Sequence, residues 1–300
     1  MMQSSSAPSS SSSGRRSHPL TPYLFLIPAC VVLGSFVIYP ALKAIYLSFT
    51  NFNMIREADF VGLANYINLW RDPFFWAALK NTILYMIVVV PVLVIAPIFL
   101  AALVNKHIPG IAVIRAAIYL PVITSLVISG LIWKWVYEEQ GILNYVLLAT
   151  GVTDNPVAFL TDPANALLSV MAVTIWSGMG YYMVIYLAGL QAIPRHLYEV
   201  ADVEGVSAWQ QMLHITIPLL RPSIAVVTVM SSIAAMKVFE EVYVMTQGGP
   251  MDSTKTLVYY IYESAFTEFE MGYASAIGVV LFLLTLVFSL INLRFLREKS

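Results

Sequence analysis

Charged residues are scarce in this 300-residue chain: Asp, Glu, Lys and Arg make up 11% of it, against about 25% in an average soluble protein. Hydrophobic residues reach 59%, and the mean hydropathy is +0.78. A water-soluble protein of this length could not cover its surface with so few charges. We therefore expect most of the chain to face lipid, or other helices within lipid.

The chain also lacks a basic excess and a cysteine framework. Its net charge is −1, so no positive field exists to release phosphate counterions, and nucleic acid is excluded as a bulk electrostatic partner. Cys30 is the only cysteine, which excludes an intramolecular disulfide and a thiolate metal cluster.

Motifs for ATP hydrolysis, metal binding and nucleophilic catalysis are missing as well. No glycine is followed by lysine, so the chain has no phosphate-binding loop of the Gly-x-x-x-x-Gly-Lys type, and it has no His-Glu-x-x-His motif. His18, His107, His196 and His214 lie in or beside predicted inner segments and are expected at the surface rather than as ligands. We predict no catalytic residue, no metal site and no cofactor bound by this chain, so that ATP, if it drives the protein, is hydrolysed by a separate subunit.

What the chain does contain is a set of apolar windows of about 20 residues, the length that crosses a bilayer. The six predicted spans are Pro19–Leu42, Asn81–Asn105, Ala116–Trp133, Ala166–Gln191, Pro222–Thr246 and Met271–Leu293. The predicted fold class is an all-α polytopic membrane protein. The Ser-rich segment 1–18 is expected to be a disordered tail, and residues 19–300 form the transmembrane domain.

Lys and Arg are distributed unevenly between the loops. With the amino terminus inside, the inner segments hold Arg15, Arg16, Lys106, Arg115, Arg195, Arg221, Arg294, Arg297 and Lys299. The outer loops hold only Arg56, Arg71 and Lys255. Because cytoplasmic loops carry the excess of Lys and Arg, both termini are predicted to be cytoplasmic.

The inner loop between the fourth and fifth spans, about residues 192–221, has the pattern of two short amphipathic helices. Pro194 suits the first position of a helix, and Gly205 can adopt the left-handed conformation that ends one. Ser207–Gln210 forms a capping box that opens the second helix. Pro218 is predicted to close that helix.

Acidic side chains distinguish the first of these helices, which carries Glu199, Asp202 and Glu204. A helix that lies on lipid headgroups is typically rich in Lys and Arg on its polar face. A protein partner on the cytoplasmic side is therefore favoured over a lipid surface.

The loop resembles the cytoplasmic loop of the inner-membrane permeases of binding-protein-dependent ABC importers, whose pattern is Glu-Ala-Ala, then Gly, then Ile-x-Leu-Pro. The matching residues are Glu199, Ala201, Gly205, Ile215 and Pro218. The conservative departures from the pattern are Val200, Glu204 and Ile217.

Further segments are similar to the carbohydrate-type permeases of that family, closest to the maltose and glycerol-phosphate types. They are Gly62–Tyr66, Asp72–Pro73, Asn81–Thr82, Thr246–Pro250, Ser253–Thr254, Thr256–Leu257, Tyr260–Tyr262 and Ala265–Phe266. The resemblance extends from about Pro22 to Leu296. It implies a permease subunit for ATP-driven import of a sugar or sugar-like solute (an oligosaccharide, a glucoside or an osmolyte glycoside) across a bacterial-type inner membrane.

The same resemblance implies the partners: a second homologous permease, two ATP-binding cassette subunits that hold ATP and Mg²⁺, and an extracytoplasmic solute-binding protein. Glu199 is then the predicted salt-bridge partner of an ATPase subunit, and Gly205 is the turn between the coupling helices. A role for Gly205 as a mere helix stop is compatible with both assignments.

A solute path is predicted through the fourth and fifth spans. Its candidate residues are Trp176, Gly178, Tyr181, Tyr182, Ser231, Lys237 and Glu240. Gly178, Tyr181 and Ser231 are assigned by alignment outward from the coupling loop. For the aromatic residues the alternative is packing between helices or at the membrane interface.

Two other functions stay open: a proton-coupled secondary transporter that uses Lys237, Glu240 and Glu241 as a relay, and a non-transporting anchor for a cytoplasmic ATPase. The spacing of the three charges predicts that they share one helical face, with Lys237 paired to one glutamate. They either form a structural ion pair or lie on the solute path. The sequence does not specify the solute.

Overall fold

A computed structural model describes residues 21–54, 58–106 and 108–297. The predicted tail at 1–18, together with Arg56, His107 and Lys299, lies outside the described residues. The helices are, in chain order, α1 (Thr21–Leu33), α2 (Tyr39–Leu47), α3 (Ala64–Arg71), α4 (Pro73–Val104), α5 (Ile111–Ile123), α6 (Leu126–Val136), α7 (Ile142–Ala149), α8 (Ala166–Gln191), α9 (Arg195–Val203), α10 (Ala208–Gln211), α11 (Ile217–Leu219), α12 (Arg221–Met236), α13 (Glu240–Met245), α14 (Leu257–Phe266) and α15 (Met271–Arg297).

Within the described ranges, five helical segments are long and apolar enough to cross a membrane. They are Leu24–Leu47, Pro73–Val104, Ala166–Gln191, Arg221–Met245 and Met271–Asn292. The bent pair α5 and α6 makes a sixth when it is counted as one span. Each predicted span therefore has a counterpart by length and composition, and the predicted all-α polytopic membrane fold is confirmed.

The chain divides into two units, one that ends at Ala44 and one that begins at Ile45. The first unit holds α1, with Pro28 inside it, and a π-helical turn at Gly34–Ile38 that leads into α2. The turn widens the helix without ending it, so the first span stays continuous through five π-helical residues.

The third span is sharply bent in the second unit. α5 ends at Ile123, α6 begins at Leu126, and their axes differ by 97°. Thr124 and Ser125 are extended, with ψ near 137° and 132°. Pro121 lacks an N–H and cannot continue the helical ladder normally, while Thr and Ser side chains compete with the backbone for hydrogen bonds, which explains the break inside an uncharged window.

The core of the second unit lies where α4 and α8 pack along each other. Tyr85 and Val89 of α4 and Met183 of α8 are fully buried there, and the Tyr186 hydroxyl of α8 donates to the Val94 carbonyl at 3.0 Å. Gly180 permits the close approach of α5, because a Cβ at that position would lie 2.5 Å from the Ile118 carbonyl oxygen. Small residues at such crossings are typical of helices packed in membranes.

The fifth span is interrupted: α12 ends at Met236, and α13 begins at Glu240. The prediction that Lys237, Glu240 and Glu241 share the face of one continuous helix is therefore wrong. Backbone groups at membrane depth must find partners within the protein, and the hydroxyl of Thr256 donates to the Val238 carbonyl at 3.1 Å. This bond gives the Val238 carbonyl a partner at the break between α12 and α13.

Candidate functional site

The loop between α8 and α12 contains the predicted pair of short helices. α9 is followed by Gly205 with φ at +74°, the left-handed conformation that the sequence predicts. The Ser207 hydroxyl accepts from the Gln210 N–H, and the Gln210 side chain accepts from the Ser207 N–H at 3.0 Å. The turn and the capping box are both confirmed.

The second helix differs from the prediction at its end. α10 passes into a π-helical turn at Met212–Thr216, and Pro218 lies inside the short helix α11 rather than closing the segment. A proline inside a regular α-helix loses a hydrogen bond and clashes with the preceding turn. The widened π turn just before Pro218 relieves that clash and lets the chain continue towards α12.

Side-chain contacts hold the loop as a rigid unit. Tyr198 of α9 shares a 2.9 Å hydroxyl–hydroxyl hydrogen bond with Thr216, and the Gln211 amide donates to the Asp202 carboxylate at 2.6 Å. Trp209 stacks on Phe99 of α4 with ring centroids 6.3 Å apart. These contacts join the two helices of the loop to each other and join the loop to the long helix α4.

The loop residues that match the permease pattern differ in how exposed they are. Ala201 is buried, Ile215 and Pro218 are half-buried, and Glu199 is exposed. Within the described part of the chain, Glu199 has no ion pair. Val203, four residues after Glu199 and hence on the same helical face, is 89% exposed. Val203 did not stand out in the sequence; an apolar residue four positions from an acidic one on a short helix was its only signal.

A cavity of about 290 Å³ lies between α4, α8 and the broken fifth span. Five of the seven predicted path residues line it: Gly178, Tyr182, Ser231, Lys237 and Glu240. The structure therefore brings together side chains that offer an aromatic ring, a hydroxyl and charges of both signs around one space. Additional polar groups in the wall are Thr174, Ser177 and Glu241.

Trp176 and Tyr181 are not part of this lining. Trp176 packs edge-to-face on Trp133 with ring centroids 5.4 Å apart. Tyr181 packs in the same way on Tyr182 at 5.2 Å. Trp176 therefore packs between helices, which is the alternative given for it, whereas the ring partner of Tyr181 is the next residue of the same helix.

The predicted ion pair of Lys237 with a glutamate is absent from the described residues, whose ion pairs involve Lys255 instead. The break in the fifth span separates the charges: Lys237 and Glu240 are exposed, while Glu241 is buried. The Glu241 carboxylate accepts a hydrogen bond from the Thr174 hydroxyl at 2.9 Å.

At the end of the fifth span away from the α9–α11 loop, motif residues of α14 and of the loop between α13 and α14 contact motif residues at and near the start of α4. Lys255 is buried between the carboxylates of Asp252 at 2.9 Å and Glu263 at 2.5 Å. The Asn81 amide donates to the carbonyl oxygens of Asp252 and Lys255, both at 3.0 Å. Burial acts to lower the pKa of Lys255, but its hydrogen bonds to Glu263 and Asp252 outweigh burial and raise it, so Lys255 stays protonated at neutral pH.

Three further hydrogen bonds extend this network. The Leu257 N–H donates to the Thr82 hydroxyl at 2.9 Å. Tyr260 and Tyr273 both donate to one oxygen of the Asp72 carboxylate, at 2.5 and 2.6 Å. Motif segments far apart in the chain thus form one hydrogen-bonded layer at this end of the protein.

Comparison with known protein families gives one match over most of the chain. Residues 72–299 match the family described as "Binding-protein-dependent transport system inner membrane component". This range includes the loop, the cavity and the hydrogen-bonded layer.

Individual proteins resemble the chain along almost its full length. The lactose transport system permease protein of Rhizobium radiobacter is 36% identical, with 98% of this chain and 100% of that protein aligned. An arabinooligosaccharides transport system permease protein of Bacillus subtilis is 34% identical over 91% of this chain and 87% of that protein. A chain in the crystal structure of a bacterial alginate ABC transporter, in complex with an alginate pentasaccharide-bound periplasmic protein, superposes with a TM-score of 0.79 at 25% identity, covering 90% of this chain and 92% of that chain.

Proposed function

Because this chain belongs to the family of inner membrane components of binding-protein-dependent transport systems and is a permease subunit of an ABC importer, we propose that its solute is a sugar or glycoside and that the α9–α11 loop couples the permease to separate ATPase subunits. The relatives named above carry lactose or arabinooligosaccharides in their names. The observation that supports the coupling role most strongly is the loop itself: a helix pair held by side-chain hydrogen bonds that presents an exposed Glu199.

The loop has the physical properties that a lever between two proteins needs. Hydrogen bonds and the Trp209–Phe99 stack keep it stiff, so a push on its tip is transmitted to α4. Glu199 offers a charge for a basic residue of the ATPase, and Val203 offers apolar area to bury. Ala201, Gly205, Ile215 and Pro218 shape the loop from within.

The solute path in this proposal runs through the cavity between α4, α8 and the broken fifth span. Tyr182 provides a ring for a sugar face, while Ser231, Lys237 and Glu240 provide hydrogen-bonding groups for hydroxyls. Gly178 leaves the wall free of a side chain. Such a combination of apolar walls with a few polar groups is typical of small-molecule sites.

The assembly follows from the same proposal. A second permease completes the path, two ATPase subunits hold ATP and Mg²⁺, and an extracytoplasmic solute-binding protein delivers the solute. The chain itself then acts as a transport subunit without an ATPase site. The coupling loop and both termini face the cytoplasm, as the distribution of Lys and Arg predicts.

Uptake by membrane vesicles that contain the complete transporter tests this function. The vesicles receive a defined mixture of lactose, maltose, trehalose and arabinobiose together with the solute-binding protein, and mass spectrometry identifies what enters. We expect uptake of at least one sugar with ATP and none with a proton gradient alone. Uptake driven by the proton gradient would support a secondary transporter, and vesicles that retain the ATPase but accumulate no sugar would support a membrane anchor.

A further inference from the structure

Glu241 combines burial with access to the cavity. Its side chain is 5% exposed, yet it is part of the cavity wall together with Tyr182 and Ser231. In the described part of the chain no Lys or Arg lies within ion-pair distance of it. A carboxylate in such a place is costly unless hydrogen bonds satisfy it, so its partners define its role.

Two hydroxyl groups in series support the carboxylate. Thr174 donates to Glu241 at 2.9 Å, and Tyr85 is hydrogen-bonded to the Thr174 hydroxyl in turn. Since the Thr174 proton points to Glu241, the Tyr85 hydroxyl is the donor of the second bond. The Tyr85 hydroxyl thus donates to Thr174, and Thr174 donates to Glu241, so this series of hydrogen bonds fixes the Glu241 side chain as an acceptor. The Glu241 carboxyl also accepts from its own backbone N–H, and acceptor capacity remains towards the cavity.

Three ionisable side chains line the same space. Lys237 and Glu240 are exposed to solvent, where water weakens their fields. Glu241 is the buried group of the three, and a charge at a buried position acts more strongly on a bound solute because the local dielectric constant is lower. A sugar hydroxyl can donate to this carboxylate in a charge-assisted hydrogen bond, whereas an anionic solute meets a like charge.

From this geometry we propose that Glu241 is a specificity-determining residue that accepts a hydrogen bond from an uncharged glycoside and rejects the anionic counterpart of the same size. The inference rests on the proposed function in one respect, that the cavity belongs to the solute path. It assigns the solute to the neutral glycosides and names the repulsive element that keeps acidic sugars out.

Saturation-transfer NMR on the complete transporter complex in nanodiscs tests the proposal with two probes, methyl β-glucoside and methyl β-glucuronide. The probes differ only at C6, where a hydroxymethyl group is replaced by a carboxylate. We expect saturation transfer to the glucoside to exceed that to the glucuronide by about tenfold, the ratio that roughly 1.4 kcal/mol of like-charge repulsion produces. Equal transfer to both probes, stronger transfer to the glucuronide, or transfer to neither would overturn the proposal.

Glu241→Gln should bring the two probes close to equal transfer, because the amide keeps the shape and removes the charge. Glu268→Gln, which makes the same change at an exposed position, should retain the wild-type ratio.

Thr174→Val keeps the Glu241 side chain but removes the hydroxyl that orients it. Saturation transfer to the glucoside should therefore fall severalfold, while the glucuronide stays excluded. Retained discrimination in Glu241→Gln, or its loss in Thr174→Val, would contradict the proposal. Because this assay uses binding alone, its failure is distinct from a failure of ATP-dependent uptake.

Discussion

Thr82 joins two segments that are 175 residues apart in the sequence. Its hydroxyl accepts from the Leu257 N–H at 2.9 Å and donates to the Ala78 carbonyl at 2.8 Å, and the side chain is buried. Through this hydrogen bond Thr82 of α4 contacts Leu257, the first residue of α14.

Thr82→Val keeps the shape of this side chain but leaves the buried Leu257 N–H without an acceptor. We expect a loss of about 1–3 kcal/mol in the free energy of unfolding, the usual cost of an unsatisfied buried donor. Thermal unfolding of the purified protein in detergent measures the loss. Thr285→Val is the matched control, because the Thr285 hydroxyl bonds only within its own helix, to Leu281, and it should change the midpoint much less. Equal shifts would show that the bond to Leu257 does not stabilise the fold.

At the scale of the element, Gly205 decides the geometry of the coupling loop. Its φ is +74°, and an added Cβ would meet no atom within 4 Å. A substitution there is therefore penalised by the backbone conformation alone, at about 1–2 kcal/mol for most residues.

Gly205→Asn and Gly205→Val separate this conformational effect from the mere addition of a side chain. Asn tolerates the left-handed region, whereas a β-branched residue does not. We expect the Asn variant to retain most of the ATP-dependent uptake and the Val variant to lose most of it, with both proteins at normal abundance in the membrane. If the two variants transported equally well, the turn at Gly205 would not be needed for coupling.

The elements themselves were predicted to different degrees. The fourth span, Ala166–Gln191, has the predicted bounds, because it is uncharged and contains no proline. The third span breaks at Thr124 in an uncharged window where hydropathy gives no signal, and Pro121 was the only local indication. The fifth span breaks at Val238, between the charged residues Lys237 and Glu240. The π turn before Pro218 depends on hydrogen-bond registry, which composition does not determine.

At the scale of the whole molecule, the two functional regions lie along the same two helices. α4 lines the cavity through Val89 and Leu93, and it carries Phe99, which stacks on Trp209 of the loop. α8 lines the cavity and leads directly into the loop. In the proposed mechanism, α4 and α8 are the elements through which a movement of the loop would reach the cavity wall.

The sequence predicted those features of the candidate site that depend on residues close together in the chain. The capping box and the turn at Gly205 depend on residues within a few positions, so the sequence suffices to place them. The partner of Glu241 is Thr174, 67 residues earlier in the chain, and such a pair follows from packing rather than pattern. For the same reason the sequence predicted an ion pair for Lys237 from helical spacing that the break in the fifth span removes.

ATP-driven sugar uptake by proteoliposomes that contain the complete transporter tests directly whether Glu199 couples this permease to its ATPase. The wild-type chain is compared with Glu199→Lys and with Glu268→Lys, a charge reversal at an exposed residue outside the loop. We expect Glu199→Lys to abolish sugar uptake at normal protein abundance, because the reversed charge repels a basic residue of the ATPase, and we expect Glu268→Lys to transport like the wild type. Uptake by Glu199→Lys within about twofold of the wild type, a difference of less than 0.5 kcal/mol, would contradict the coupling role of Glu199.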